Sequence, residues 1–183
     1  MKFKSLSIAA VSAFGISVSA FAADPVTVKG GTVNFTGELV NAACAVSTAS
    51  SNQTVSLGQY RTARLAKAGD KTAPVPFSIK LSDCDPTVQK TAAIAFQGTA
   101  AEGGTNLLGL SASSANGTVA KNVGLQITDH TAKALGITGA AFSTPQALLD
   151  GENALQFNAY YVATGIATAG DANASATFTV KYE

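Results

Sequence analysis

Apolar side chains in this chain recur at every second position, a period that suits extended backbone with one face buried and does not suit helix. Phe77, Ile79 and Leu81 alternate with Ser78, Lys80 and Ser82, and Ile94 and Phe96 follow. Val123, Leu125 and Ile127 alternate with Gly124, Gln126 and Thr128; Leu155, Phe157, Ala159 and Tyr161 form another set. The C-terminal set is Ala174, Ala176, Phe178, Val180 and Tyr182. Turn formers separate them at Ala68-Gly69-Asp70, Glu102-Gly103-Gly104, Ala115-Asn116-Gly117, Asp150-Gly151 and Gly170-Asp171. Several short strands joined by polar turns predict an all-β antiparallel sandwich, immunoglobulin-like in the broad sense. The chain has no Trp, so the antibody-type Cys…Trp…Cys core is absent. Thr62 to Ala68 and Thr144 to Leu149 read as short helical turns within loops.

At 183 residues the chain has room for one domain with a substantial core. Charged residues are 13% of it, against a usual value of about 25%, so Ser, Thr, Asn, Gln, Gly and Ala must cover most of the surface. Twelve basic side chains nearly balance eleven acidic ones, with no block of either sign, which excludes a nucleic-acid partner. One His, two Cys and one Met leave no Cys/His metal cluster and a single candidate base for a catalytic triad.

Met1 to Ala22 reads as a secretory signal peptide. Lys2 and Lys4 precede an apolar run from Leu6 to about Val18, and Ala20-Phe21-Ala22 supplies the small-residue cleavage site. The run is shorter than the roughly 20 residues that span a bilayer. Cleavage leaves 161 residues with a side-chain charge of −1. In an oxidising compartment Cys44 and Cys84, forty positions apart, are expected to form a disulfide, and there is no C-x-x-C to favour a redox thiol. Each cysteine adjoins a strand-like stretch, Gly37 to Val40 for the first and Phe77 to Leu81 for the second.

Both ends of the mature chain are unusual. Val26 to Phe35 reads VTVKGGTVNF, with Val26 and Val28 on one parity, Val33 and Phe35 on the other, and Gly30-Gly31 between them. A single strand in one sheet needs only one parity, so the segment reads either as a first strand or as a separate β-rich extension. The sequence given stops at Lys181-Tyr182-Glu183, at the end of a strongly alternating strand, and an exposed apolar strand of that kind needs a cover.

Three blocks carry a resemblance: Phe35-Thr36-Gly37-Glu38-Leu39-Val40-Asn41-Ala42-Ala43-Cys44, Phe77-Ser78-Ile79-Lys80-Leu81-Ser82-Asp83-Cys84, and Ala174 to Tyr182 with Tyr next to last. In that order the chain resembles the chaperone-usher pilins, and within them it is most similar to the major subunits of type 1 fimbriae. The resemblance implies an incomplete immunoglobulin-like sandwich that lacks its final strand, with residues 23–36 as an N-terminal donor-strand extension and residues 37–183 as the pilin domain. It also implies a groove beside the last strand, filled first by a periplasmic chaperone and then by the extension of the next subunit, a known mode of β-strand addition. The expected partners are that chaperone, an outer-membrane usher and identical subunits joined head to tail. Export through the periplasm to a cell-surface fimbrium is expected, with no cofactor and no small-molecule substrate.

The donor-strand residues are then Val26, Val28, Gly30, Gly31, Val33 and Phe35, with Gly31 on the Val33/Phe35 parity and Gly30 on the other. The groove and chaperone contacts are Phe178, Val180, Tyr182 and Glu183, with the terminal carboxylate anchored by basic chaperone residues. A minor adaptor or tip pilin that binds carbohydrate is the alternative; Tyr60, Tyr160 and Tyr161 could supply a sugar-stacking platform for it, but they read as core or strand-face residues. His130 reads as a turn residue without a nucleophile or orienter, which leaves a non-enzymatic chain. Asp83 and Asp85 read as a solvated turn rather than a calcium site. The N-x-S/T triplets at Asn34, Asn52, Asn116 and Asn173 are read as chance in a chain rich in these residues.

Overall fold

The computed structural model describes residues 24–102 and 104–183; the expected signal peptide, residues 1–22, lies outside them. The chain divides at Glu38/Leu39 into an N-terminal unit and a folded unit. In chain order the elements are β1 (Ala45–Val46), α1 (Thr48–Ser51), a 3-10 turn (Thr62–Arg64), β2 (Val75–Cys84), β3 (Thr91–Gln97), β4 (Ala100–Ala101), β5 (Gly104–Leu108), β6 (Val123–Asp129), β7 (Thr138–Phe142), β8 (Gln146–Ala147), β9 (Gly151–Ala163) and β10 (Thr177–Tyr182). All strand pairings between them are antiparallel.

Six strands form one sheet in the order β1-β2-β9-β6-β5-β4, and the facing sheet runs β10-β3-β7, with β8 also on β3. The long β9 is the spine of the first sheet because its alternation is unbroken: Leu155, Phe157, Ala159, Tyr161 and Ala163 are all buried, and residues between them face outward. It pairs with β2 from Val75↔Ala159 to Leu81↔Asn153, which sets Ile79 and Leu81 on the same inner face. On its other side it pairs with β6, burying Val123, Leu125 and Ile127. Ala92, Ile94 and Phe96 of β3 close the core from the facing sheet.

The register of β2 shifts between Leu81 and Cys84, where Asp83 takes φ 53°, a left-handed conformation that Asp tolerates better than most residues. Beyond this bulge Cys84 is bonded to Cys44, with a Cα–Cα distance of 4.1 Å, and the Asp85 amide donates to the Ala43 carbonyl at 2.8 Å. The disulfide therefore ties the start of the folded unit to the end of β2.

Three sequence expectations are corrected. Gly37 to Val40 is not a strand; the strand next to Cys44 lies on its other side, at Ala45–Val46, where pairing with Ser82 and Leu81 is available. Thr144 to Leu149 holds no helical turn, since Gln146–Ala147 is drawn into the sheet as β8 by pairing with β3. The C-terminal alternation is a strand only from Thr177: Ala174 and Ala176 precede it, and Ala176 is exposed.

Candidate functional site

β10 lies at an edge. Its six residues pair with β3 from Thr177↔Gln97 to Tyr182↔Ala92, and among the described residues nothing pairs with its other side. The bonds between Glu183 and Thr91, Glu183 N–H to Thr91 C=O at 3.0 Å and Thr91 N–H to Glu183 C=O at 2.8 Å, fix the phase of the ladder. In an antiparallel pair, residues alternate between bonding inward and pointing their amide and carbonyl away. Thr177, Thr179 and Lys181 therefore bond to β3, and the backbone groups of Phe178, Val180 and Tyr182 point to the open edge.

The side chains of the same three residues point at the core. In a closed sandwich they would be buried, yet Phe178, Val180 and Tyr182 are only half-buried. Phe178 sits 6.4 Å from Phe96 between ring centroids, and Phe96 packs edge-on against Phe157 at 5.2 Å. Phe77 completes this cluster, 5.6 Å from Phe157 and itself half-buried. Phe77 also lines an open cavity of about 430 Å³, together with Val55, Val75, Ser50 and Lys80. The aromatic core is thus reachable from outside at β10 and at β2.

Tyr182 lies at the C-terminal end of β10. Its hydroxyl donates to the Cys44 carbonyl at 3.1 Å, and burial pushes its pKa up. The last strand and the disulfide are so joined by one hydrogen bond. Glu183 continues the ladder: its carbonyl also accepts the Lys90 amide at 2.8 Å, and its side chain pairs with Lys181 at 2.7 Å.

The N-terminal unit has the opposite character. Asp24 to Glu38 contains no strand, and Val26, Val28, Val33 and Phe35 are 85%, 78%, 73% and 91% exposed. Gly31 has φ +148°, a region that side-chain-bearing residues rarely adopt, whereas Gly30 has no such constraint. Neither glycine has another atom within 4 Å of where a Cβ would stand.

The remaining candidates do not converge. Tyr160 and Tyr161 lie on opposite faces of β9: Tyr160 donates to Gln126 Oε1 at 3.0 Å, while Tyr161 is buried, donates to the Ala172 carbonyl at 2.6 Å and stacks edge-on with Tyr60 at 5.9 Å. They form no platform. Burial, and then the neighbouring Tyr60, push the Tyr161 pKa up. His130 is exposed in a turn. Asp83 and Asp85 are exposed, and the Asp85 carboxylate accepts the amide and hydroxyl of Thr87 at 2.8 and 2.6 Å, which lowers its pKa.

One residue went unremarked in the sequence. Asp129 is completely buried. Burial opposes its charge, but the Thr131 hydroxyl and amide, the Thr144 amide and the Lys133 amide all donate to it at 2.7 to 3.1 Å. Together they hold its carboxyl well below the usual range. It pins the loop after β6 to the loop after β7. Its signal was the Asp-x-Thr spacing, which favours a side chain that caps its own turn.

The family model described as "Fimbrial protein" matches residues 33–183. The chain is 54% identical to a type-1 fimbrial protein, A chain, of Salmonella typhi, and 52% identical to the A chain of Escherichia coli (strain K12), in both cases over all of each chain. Among solved structures it resembles a subunit of a chaperone-usher pilus described for its rod uncoiling, with a TM-score of 0.71 and 25% identity over 88% of this chain and 100% of that one. The rod subunit PapA of the P pilus matches in fold, with a TM-score of 0.64 and 24% identity over 78% of this chain and 100% of that one.

Proposed function

The chain belongs to the fimbrial protein family, and we propose that it is the shaft subunit of a cell-surface fimbrium, polymerised by donor-strand exchange. The observation that carries this reading is the coincidence on β10: Phe178, Val180 and Tyr182 offer unpaired backbone groups and half-covered side chains at once. A strand laid along that edge completes the ladder and the core together. The N-terminal unit supplies such a strand in Val26, Val28, Gly30, Gly31, Val33 and Phe35, whose apolar members are exposed in the isolated subunit.

One copy's extension in the next copy's groove is a head-to-tail contact, and contacts of that type that do not close into a ring build an open filament. Four apolar donor side chains at about 1.5 to 3 kcal/mol each contribute roughly 6 to 12 kcal/mol before ordering costs. Ladder bonds add about 0.5 to 1.5 kcal/mol apiece. Separation requires opening the fold, so the joint persists kinetically.

Before exchange the same edge needs a cover, and a periplasmic chaperone that donates a strand fits it; delivery through an outer-membrane usher follows. The role is structural, with no catalytic step. A synthetic peptide of residues 24–37 tests the reading: added to monomeric subunit, it should raise Tm and block polymerisation. A peptide that neither binds nor blocks would contradict it.

A further inference from the structure

Charge in the folded unit is sorted to its two ends. Asp83, Asp85 and Glu183 gather where β2 ends and β9 begins, with Asp150 and Glu152 flanking Gly151, the partner of Cys84; Lys90 and Lys181 are the cations there. At the far end of β9, Arg61, Arg64, Lys67, Lys71 and Lys121 gather around Ala163 to Thr168. The Lys71 backbone bridges to Val162, the Leu65 carbonyl accepts the Ala167 amide, and the Lys121 carbonyl accepts the Thr168 amide. The two acids at that end are engaged by backbone: Asp70 accepts the Lys67 amide at 3.0 Å and Asp171 the Ser113 amide at 2.9 Å. Lys80, opposite Ala154, is a further cation close to the acidic pole, which keeps an excess of acids; Lys133 lies between the poles, and Glu102 is at the β4–β5 turn.

β9 is 13 residues long, which separates the poles by about 40 Å. The screening length is about 8 Å at physiological salt, so the poles of one subunit do not feel each other. Among the described residues the one ion pair is Lys181–Glu183. The other acids of the acidic pole, and all the cations of the basic one, have no ion-pair partner among the described residues.

On the donor-strand reading, we infer that the acidic pole of each subunit docks against the basic pole of the copy whose groove it enters, steering and orienting the joint. The extension joins the folded unit just ahead of Cys44, at the acidic pole. Thr36 to Ala43 spans at most about 28 Å when extended, so the acidic pole stays near whichever end of the groove the donor leaves. A donor antiparallel to β10 leaves it at the basic pole of the acceptor, and opposite charges meet. A parallel donor would bring two acidic poles together, and like charges facing each other are penalised.

Charge reversal at exposed positions tests this in the mature chain, refolded with its disulfide intact and followed by light scattering. Arg61→Glu with Arg64→Glu, or Asp150→Lys with Glu152→Lys, should each slow polymerisation at low salt on the order of tenfold, the lower end of electrostatic steering. All four substitutions in one chain make the poles complementary again and should restore the rate. In 0.5 M salt the variants should converge. Either pair leaving the rate unchanged, or the fourfold variant remaining as slow as the pairs, would overturn the inference. The peptide of residues 24–37, which carries neither pole, separates the two ideas: it should bind every variant equally, and if it binds none of them the donor-strand reading itself falls.

Discussion

The extension and the last strand share one sequence habit, alternating apolar residues, and the folded protein treats them in opposite ways. Val26, Val28, Val33 and Phe35 are more than 70% exposed with no ladder, whereas Phe178, Val180 and Tyr182 are half-buried with a full ladder on one side. The strand has a partner for half of its needs, and the extension has a partner for none. Alternation alone thus marks the wish for a sheet, and the remaining exposure tells which half of a joint each segment supplies.

Deleting residues 24–32 should break the comparison most severely. Filaments should vanish from electron micrographs, while the Tm of monomer with its groove filled by peptide should not move. Removing the disulfide acts on the other region: Cys44→Ser with Cys84→Ser should cost about 4 kcal/mol in urea unfolding, the loop-closure value for a bridge of this span. Phe157→Ala and Phe178→Ala sharpen the contrast between closed and open core. Phe157, at 1% exposure, should cost about 3 to 5 kcal/mol in either state. Phe178 should cost less than that in the monomer and approach it once peptide occupies the groove.

Asp129 calibrates these effects from outside both regions. Its carboxyl is depressed on folding, so its contribution is complete above the unfolded value near 3.9 and is lost as pH falls below it toward the folded value. Asp129→Asn should cost about 2 kcal/mol at pH 7, and the gap from the parent protein should narrow in acid. A gap independent of pH would contradict the charged, hydrogen-bonded carboxylate. The smallest effect is expected from Tyr182→Phe, about 1 kcal/mol, which reports the hydrogen bond to Cys44 without disturbing the ring.

Long alternating strands were legible because one face of each is buried: β2, β6, β9 and the end of β10 follow their sequence patterns. β3 was only half legible, since Ala93 and Ala95 are as buried as Ile94 and Phe96. The cause lies in its neighbours. β10 and β7 flank it, and the Lys181 ammonium reaches 4.9 Å from the Phe142 ring centroid, covering the outer face over the small alanines. β7 and β8 are short and lack alternation, so only pairing defines them. Gly37 to Val40 looked like strand by composition, yet Ala45–Val46 is the stretch that meets an open edge of β2. Asp129 was hidden because a buried carboxylate and a solvated turn share the same letters; four donors brought from two loops make the difference.

Residue-resolved hydrogen exchange along β10, in monomer and in filament, tests the central claim most directly. The phase of the ladder predicts that the amides of Thr177, Thr179 and Lys181 are protected in both states. Those of Phe178, Val180 and Tyr182 should exchange freely in the monomer and become protected by about a hundredfold or more once a donor strand pairs with them. Equal exchange of these three amides in monomer and filament would show that the open edge of β10 is not where subunits join.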